Sequence, residues 1–382
     1  MPKQAFNYSL FLFTYYGHAG TFVTYASLFF AARGMSAPQI GILMSLIQVM
    51  RIFGPNLWGW VADHSGERVK VLRLTCVGAL LAFTGIFFGR SFAQFFMVMV
   101  ALNLFTSAQG PLSEAMLLSE LKGDLSNYGK VRLWGSIGFI VSAMLAAYGL
   151  EWFGVDAFPW IAGALLLCVL PAGLRLRDTA HPAVPAQAPP RLLKVLRQRE
   201  VLAFFASTAL MVAAHTSLYV YYSLYLEQAG YGKPVIGAMW SLGVLAEIVF
   251  FYFQAHGFRR FGARRLMMWA FALAMLRFVM IGAGAQSLLV LVLAQLLHAA
   301  TFAAHHSASV QTMQRWFGGA LQARGQALYI SVAYGVGGSL GGLFMSLVWD
   351  ALGPHAVYYA AAALALAGAG AAALALRWIE PA

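Results

Sequence analysis

The chain has 382 residues, 61% hydrophobic and only 10% charged, with a mean hydropathy of +0.72 and a formal net charge of +12. A soluble domain carries about 25% charged residues, so the composition excludes an ordinary water-soluble fold. At roughly 20 apolar residues per crossing it leaves room for about a dozen membrane helices.

Twelve apolar segments follow in chain order, at 6–32, 38–62, 70–89, 92–117, 133–150, 157–174, 200–228, 234–256, 266–284, 286–314, 325–349 and 355–376. The first holds the aromatic run "TYY" (Thr14 to Tyr16). It is too long for a cleaved signal peptide and no A-x-A-like site follows it, so it is expected to remain as a span. Arg51 lies within the second, and "GWVADHSGERVKVLRL" (Gly59 to Leu74) leads into the third. Cys76 in the third and Cys168 in the sixth sit in apolar runs, as inert thiols do, rather than in a disulfide or metal pattern. The fourth carries Glu114 in "GPLSEAML", and the fifth begins at Arg132 and carries Phe139 seven residues on.

Between the sixth and seventh lies the one proline-rich stretch between spans, "TAHPAVPAQAPP" (Thr179 to Pro190), which reads as an extended linker. It divides the chain into a six-helix bundle at 1–176, a linker at 177–198 and a second bundle at 199–382. In the seventh segment Tyr221 and Tyr225 are one helical turn apart. The eighth, "SLGVLAEIVFF" (Ser241 to Phe251), sets Glu247 in an apolar run, and the ninth carries Arg277. The tenth holds His298, His305 and His306; the first two, seven apart, share a face of a regular helix. The eleventh contains "GVGGSLGG" (Gly335 to Gly342), with the small-xxx-small spacing that lets helices pack closely.

The cations mark topology. Eighteen Lys and Arg of alternate loops fall on one side together with Lys3 and Arg377, and only Arg33, Arg90 and Lys233 fall on the other. The positive-inside rule then puts both termini in the cytoplasm. The net positive charge is a signal of orientation and not a footprint for nucleic acid.

Residues 21–51 align without a gap on residues 217–247, an offset of 196, with nine identities in 31 positions: Tyr25/Tyr221, Ser27/Ser223, Leu28/Leu224, Gly34/Gly230, Pro38/Pro234, Ile40/Ile236, Gly41/Gly237, Ser45/Ser241 and Leu46/Leu242. A parallel six-helix repeat is the architecture of one large transporter class, with its substrate site near the midplane. The same offset sets Glu247 on Arg51, opposite charges at equivalent depth. Either both line a central cavity, or each makes an ion pair within its own half.

The loop after the second segment, with Asp63, Gly66 and Arg68 in place behind Gly59, resembles the signature of the major facilitator superfamily, whose role would be to stabilise one access state. "NYGKVRLWGSIGF" (Asn127 to Phe139), "SLGVLAEIVFF", "LRFVMIGA" (Leu276 to Ala283) and "QLLHAATFAAHH" (Gln295 to His306) are similar to segments of its lactose-permease-like branch, and within that branch of the phenylpropionic acid permeases. The resemblance implies an all-α membrane protein of twelve helices in two pseudo-symmetric halves. It implies substrate contact by Glu114 and Arg132, with Phe139 as the stacking aromatic, and proton coupling through Glu247, Arg277 and His298, with His306 beside them. Thr301 stands where the lactose permease has a Glu one turn after the helix-10 histidine, so the proton is expected on Glu247, Glu114 or a histidine. Arg51, Tyr221 and Tyr225 are added as substrate contacts, because Arg can meet a carboxylate bidentately and tyrosines can stack on a ring.

The expected function is proton symport of a small aromatic carboxylate such as 3-phenylpropionate by alternating access, with a sugar or nucleoside as the alternative. A drug efflux antiporter is disfavoured by the absence of a Gly-Pro motif in the fifth segment. An intramembrane enzyme is disfavoured because the histidines lack a nucleophile or metal partner, and a metal site because no Cys or carboxylate accompanies them on their helix. The expected partners are a small molecule, protons and the bilayer of a bacterial inner membrane, with no cofactor beyond the proton gradient, and the expected state is a monomer.

Overall fold

The computed structural model of the chain describes residues 4–122, 124–178, 192–318 and 321–377, so the proline-rich stretch lies outside the described residues. The elements are α1 (Ala5–Ala32), α2 (Ala37–Ser65), α3 (Arg68–Phe88), α4 (Phe92–Glu120), α5 (Leu125–Phe153), α6 (Phe158–Leu174), a short α7 (Leu192–Leu196), α8 (Arg199–Gln228) and α9 (Lys233–Gly284). Then come α10 (Leu288–Leu296), α11 (His305–Met313), α12 (Gln322–Tyr329), α13 (Gly338–Leu352) and α14 (Pro354–Leu376). Two π-helical stretches, Ala299–Ala304 and Ile330–Gly337, join α10 to α11 and α12 to α13.

Ten helical stretches among the described residues are long and apolar enough to cross a membrane, and one of these, Lys233–Gly284, is 52 residues long. That helix is two crossings: its regular geometry breaks at Gly262 (φ 72°, ψ 161°), between the eighth and ninth segments. With α1, which is richer in Tyr, Thr and Gly, this makes twelve spans. Large apolar side chains such as Leu81, Phe88, Trp152, Trp160, Leu347 and Leu366 are exposed on the protein surface, as they must be where the solvent is lipid.

The repeat is written into the backbone. Six glycines among the described residues have positive φ, and they form three pairs: Gly34 with Gly230 and Gly66 with Gly262 at an offset of 196, and Gly154 with Gly353 at 199. Each ends or breaks a helix in the left-handed region, where a Cβ is strained. The helix packing repeats too. A Cβ on Gly138 of α5 would collide with the backbone of Phe13 in α1, and one on Gly17 would meet the Ser142 hydroxyl at 2.5 Å. In the second half a Cβ on Gly337 would lie 2.5 Å from the Ala209 carbonyl, and one on Gly341 would lie 2.5 Å from Ala213 Cα. Phe13 and Gly17 correspond to Ala209 and Ala213 at 196; Gly138 and Ser142 correspond to Gly337 and Gly341 at 199. The expected use of the "GVGGSLGG" run in close packing is thus the observed one.

The chain forms two compact units, Met1–Ala183 with Leu226–Ser241, and Val184–Tyr225 with Leu242–Ala382. The short piece 226–241 joins the first because Glu151 Oε2 of α5 accepts the Lys233 backbone N–H at the start of α9 (3.0 Å), and Gly237 leaves room for the Tyr25 hydroxyl, 2.6 Å from where its Cβ would be. Within the first unit, Arg68 bridges to Asp63 at 3.2 Å, and Asp178 Oδ1 accepts the Val69 N–H at the start of α3 (3.1 Å). Arg73 donates to the carbonyls of Leu174 (2.9 Å) and Leu176 (2.8 Å) beyond the end of α6. These contacts tie the ends of α2, α3 and α6 together through groups that would otherwise be orphaned.

One boundary differs from expectation. The fifth segment, expected from 133, begins as α5 at Leu125, because Asp124 Oδ1 accepts the N–H groups of Ser126 (3.0 Å) and Asn127 (3.2 Å) and starts a polar first turn that apolarity does not reveal. Hydrogen bonds from the Asn127 backbone and side chain hold the Asp124 carboxyl below the ordinary carboxylate range. A depressed folded pKa means that the cap is fully present above the ordinary value near ~3.9 and is lost as pH falls through the folded one. Asp124→Ala is expected to lower the hydrogen-exchange protection factors of the Ser126 and Asn127 amides while the middle of α5 stays protected, and acidification of the native protein should lower the same protection factors once the intrinsic pH dependence of exchange is divided out.

Candidate substrate and proton site

In the first unit the polar centre is built on the tight α1–α5 contact. Because α5 starts at Leu125, Arg132 lies two turns inside the helix. It faces α4, where its Nε donates to Glu114 Oε1 at 2.9 Å, and Tyr16 of α1 donates its hydroxyl to the same oxygen at 2.9 Å. The guanidinium lies over the Tyr16 ring, 4.0 Å from the centroid. Gly135, one turn after Arg132, makes this stacking fit: its Cβ would be 2.6 Å from the Tyr16 ring. Phe139 stands one turn further along against Gly20 of α1, 2.6 Å from where a Cβ would be. The Arg132 and Glu114 side chains remain 31% and 27% exposed, so the pair is reachable and not sealed in the core. Half-buried Arg51 of α2 acts electrostatically on Tyr15, as do Glu114 and Arg132. Glu114, Arg132 and Phe139 therefore gather around the middle of α1, with the charge of Arg51 acting on Tyr15, and Tyr16, seen in the sequence only as one of an aromatic run, joins Glu114 to Arg132.

In the second unit the sequence pairs Glu247 with Arg277 directly, and the structure interposes His298. Its Nε2 is 2.6 Å from Glu247 Oε1, and its Nδ1 is 2.8 Å from Arg277 Nη1. The approach depends on Gly243, one turn before Glu247: a Cβ there would be 3.2 Å from both His298 Cδ2 and Gln295 Oε1. Arg277 is 1% exposed and also donates to the Ala294 carbonyl (2.9 Å), Gln295 Oε1 (3.0 Å) and Thr301 Oγ1 (3.0 Å). Four of its five N–H donors are thus used within the protein. Its only role toward His298 is as a donor. Nδ1 of His298 is therefore the bare nitrogen, the imidazole is neutral, and Nε2–H donates to Glu247 Oε1.

The three histidines of the tenth segment do not divide as regular helix geometry suggests. The π-helical stretch Ala299–Ala304 follows His298 directly, and the wider π turn delays the phase of all that follows by about one residue. His306 takes the place His305 was expected to hold on the His298 side, where the Glu247 carboxylate acts on it electrostatically. His305 turns away, 3% exposed, against the Phe271 ring. His306 Nδ1 is 3.2 Å from the Tyr329 hydroxyl and 3.1 Å from that of Tyr334. Those tyrosines are five apart, and the second π stretch, Ile330–Gly337, brings them one above the other.

Tyr221 and Tyr225 pack against other helices of the second unit. Tyr221 is 0% exposed and stacks on Trp349, with centroids 4.9 Å apart. Tyr225 donates to the Gly282 carbonyl at 3.0 Å and meets His355 Nδ1 at 2.6 Å. Both rings take part in the packing of α8 on α13 and α14. Sequence reasoning missed Tyr16, Gly243, Gln295 and His215. Gly243 had the signal of a glycine one turn before an intramembrane charge and Gln295 that of a polar residue one turn before His298, whereas Tyr16 and His215 lie in helix interiors far in sequence from any charge.

The family description of the MFS_1 like family matches residues 5–360. The chain belongs to this family. A relative 29% identical over 359 residues, 92% of each chain, is the probable 3-phenylpropionic acid transporter of Escherichia coli (strain K12). The maltose permease of Geobacillus stearothermophilus is 27% identical over 241 residues, 62% of this chain and 60% of that one. Among solved structures, the nucleoside transporter NupG (D323A mutant) superposes with a TM-score of 0.86 at 18% identity, over 98% of this chain and all of that one. The MFS_1 like chain described here is thus an integral membrane protein and a secondary transporter, with the twelve-helix fold in two halves that its sequence implied.

Proposed function

We propose that the protein takes up a small aromatic carboxylate such as 3-phenylpropionate by proton symport, alternating access between the two sides of a bacterial inner membrane with both termini in the cytoplasm. The observation that carries the substrate class is Arg132. Its hydrogen bond to Glu114 uses Nε, which leaves the Nη atoms for a ligand, its side chain is 31% exposed, and its guanidinium lies over the Tyr16 ring; a guanidinium so held can take a carboxylate through two parallel bonds. Phe139 on the same face of α5 and the Tyr16 ring supply aromatic surface for the rest of the molecule, and Arg51 adds positive charge.

The second unit supplies the proton carrier. Glu247 is ionised when His298 Nε2–H reaches it, and loss of that contact in a dry cavity favours the protonated acid. A conformational change that alters the 2.6 Å contact therefore loads or unloads a proton, with His306 as the next titratable group. Gly59, Asp63, Gly66 and Arg68 hold the loop between α2 and α3 in one access state. An exposed ion pair such as Asp63–Arg68 is worth about 1 kcal/mol or less, which suits a contact that must break in each cycle. The protein works as a monomer without a cofactor.

Counterflow in liposomes tests the substrate. Vesicles preloaded with unlabelled 3-phenylpropionate should draw in the labelled acid above protein-free vesicles, and Arg132→Lys should reduce the initial rate at least tenfold, because an ammonium cannot keep both the Glu114 bond and a bidentate contact. Counterflow with maltose or uridine and none with the acid would replace the carboxylate by the sugar or nucleoside reading.

A further inference from the structure

The proton relay of the second unit does not end at Arg277. Thr301 Oγ1, 0% exposed, accepts from Arg277 Nη1 at 3.0 Å and lies 3.3 Å from Nε2 of His215, itself 1% exposed on α8. Nδ1 of His215 is 2.9 Å from the Met211 carbonyl. A carbonyl only accepts, so Nδ1 carries the hydrogen and Nε2 is bare. The Thr301 hydroxyl then donates to His215, which leaves its lone pairs to Arg277. The alternative acceptor for that hydroxyl is the His298 carbonyl at 3.3 Å, and turning to it would swing the lone pairs away from Arg277. The surroundings of His215 are otherwise apolar rings, Phe278 at 5.3 Å and Phe302 at 5.9 Å between centroids. The titratable or charged groups that act on it or on the chain are Arg277, His298, Glu247 and His305, with Tyr219, Tyr222 and Tyr358 near Arg277.

We infer that His215 is a positioning residue: through Thr301 and Arg277 it fixes the His298 imidazole in the tautomer that offers Nε2–H to Glu247. Arg277 Nη1 is shared between Thr301 Oγ1 and His298 Nδ1. While His215 orients the hydroxyl, Nη1 has both acceptors in place, and a hydrogen on His298 Nδ1 would face a donor. When the hydroxyl turns, Arg277 Nη1 loses one of the two acceptors that hold it in place, and once that nitrogen withdraws from His298 the imidazole can move its hydrogen to Nδ1 and leave Glu247 without its donor. A carboxylate without its donor holds a proton more tightly, so transport should follow pH differently. This functional consequence rests on the proposed proton role of Glu247; the placement of the hydrogen does not.

The test uses the full-length protein, labelled with 15N-histidine, in liposomes, with the His298 signals identified by their loss in His298→Gln. Wild type should show one neutral imidazole with bare Nδ1. His215→Asn, which keeps a donor for Met211 and loses the acceptor for Thr301, should show a mixture of tautomers at His298. His215→Gln, whose amide oxygen reaches the place of Nε2, should restore the single form. Thr301→Val cuts the chain at its middle and should give the same mixture, which keeps the test open if the asparagine variant does not fold. In the same vesicles His215→Asn should move the pH midpoint of gradient-driven uptake upward by about one unit, a tenfold change in proton affinity, while counterflow continues because exchange moves no net proton. An unchanged His298 tautomer in His215→Asn and Thr301→Val would overturn the inference, whereas a mixed tautomer with a wild-type pH profile would uphold the role of His215 and overturn the proton role of Glu247. Wild-type vesicles with no gradient-driven uptake would overturn the symport reading instead, with the imidazole signals still deciding the role of His215.

Discussion

Glu247→Gln is expected to abolish proton-driven accumulation while substrate exchange continues. The amide is close in shape to the carboxylate, and its oxygen can still accept the His298 Nε2–H that lies 2.6 Å away in the native protein, so the cluster keeps its form. The variant cannot gain or lose a proton. In a one-proton symporter, a gradient of one pH unit sustains about a tenfold accumulation, since one unit is about 1.4 kcal/mol; in the variant the ratio should fall to that of protein-free vesicles. Those vesicles must be measured alongside, because a weak acid also crosses as its neutral form. Accumulation that survives in Glu247→Gln would move the proton to Glu114 or His306. The same variant is expected to fold: an unpaired carboxylate in this setting costs several kcal/mol, whereas the amide is neutral and partnered.

The largest expected effect on folding is at the paired glycines. Gly138→Leu puts atoms onto the backbone of Phe13, and Gly337→Leu onto that of Ala209. Backbone in the middle of a helix cannot swing aside as a side-chain tip can, so the helices must part along their length. Overpacking of an ordinary core costs about 1–3 kcal/mol, and here it also removes the neighbouring contacts of Gly17 with Ser142 or of Gly341 with Ala213. Both variants should be poorly expressed and should aggregate on heating at temperatures where wild type in detergent stays monodisperse by size exclusion. Gly370→Ala, where nothing lies within 4 Å of the new Cβ, is the control and should behave as wild type. A stable Gly138→Leu protein would mean that α1 and α5 can be held apart without loss.

Apolar runs and loop charges made the helices legible, because in a membrane each must satisfy its own backbone and each must be long. The offset found at residues 21–51 also pointed to glycines whose positive φ and close contacts recur in the structure. What was not legible depends on phase. A period of 3.6 puts His305 beside His298, but a π turn, which no composition signals here, hands that place to His306. The same rule makes Glu247 and Arg277 neighbours by depth alone, yet whether they touch depends on Gly243, a missing Cβ that lets an imidazole between them. Tyr221 and Tyr225 show the converse: aromatic side chains at one-turn spacing look the same in sequence whether they face a ligand or a neighbouring helix. Arg132 seemed to sit at a helix end because its first turns are polar, and only the Asp124 cap shows that the helix starts earlier.

The three pairs of turning glycines and the two matching small-residue contacts mean that one mechanical design occurs twice in this chain, whereas the polar side chains are not duplicated. Glu114, Arg132 and Tyr16 belong to one copy; Glu247, His298, Arg277 and Thr301 belong to the other. After such a duplication, cargo and fuel can diverge on separate tracks. On the function proposed here, redesign can follow the same division, with a new substrate sought among the side chains of α1, α4 and α5 while the proposed proton machinery of the second unit is left untouched.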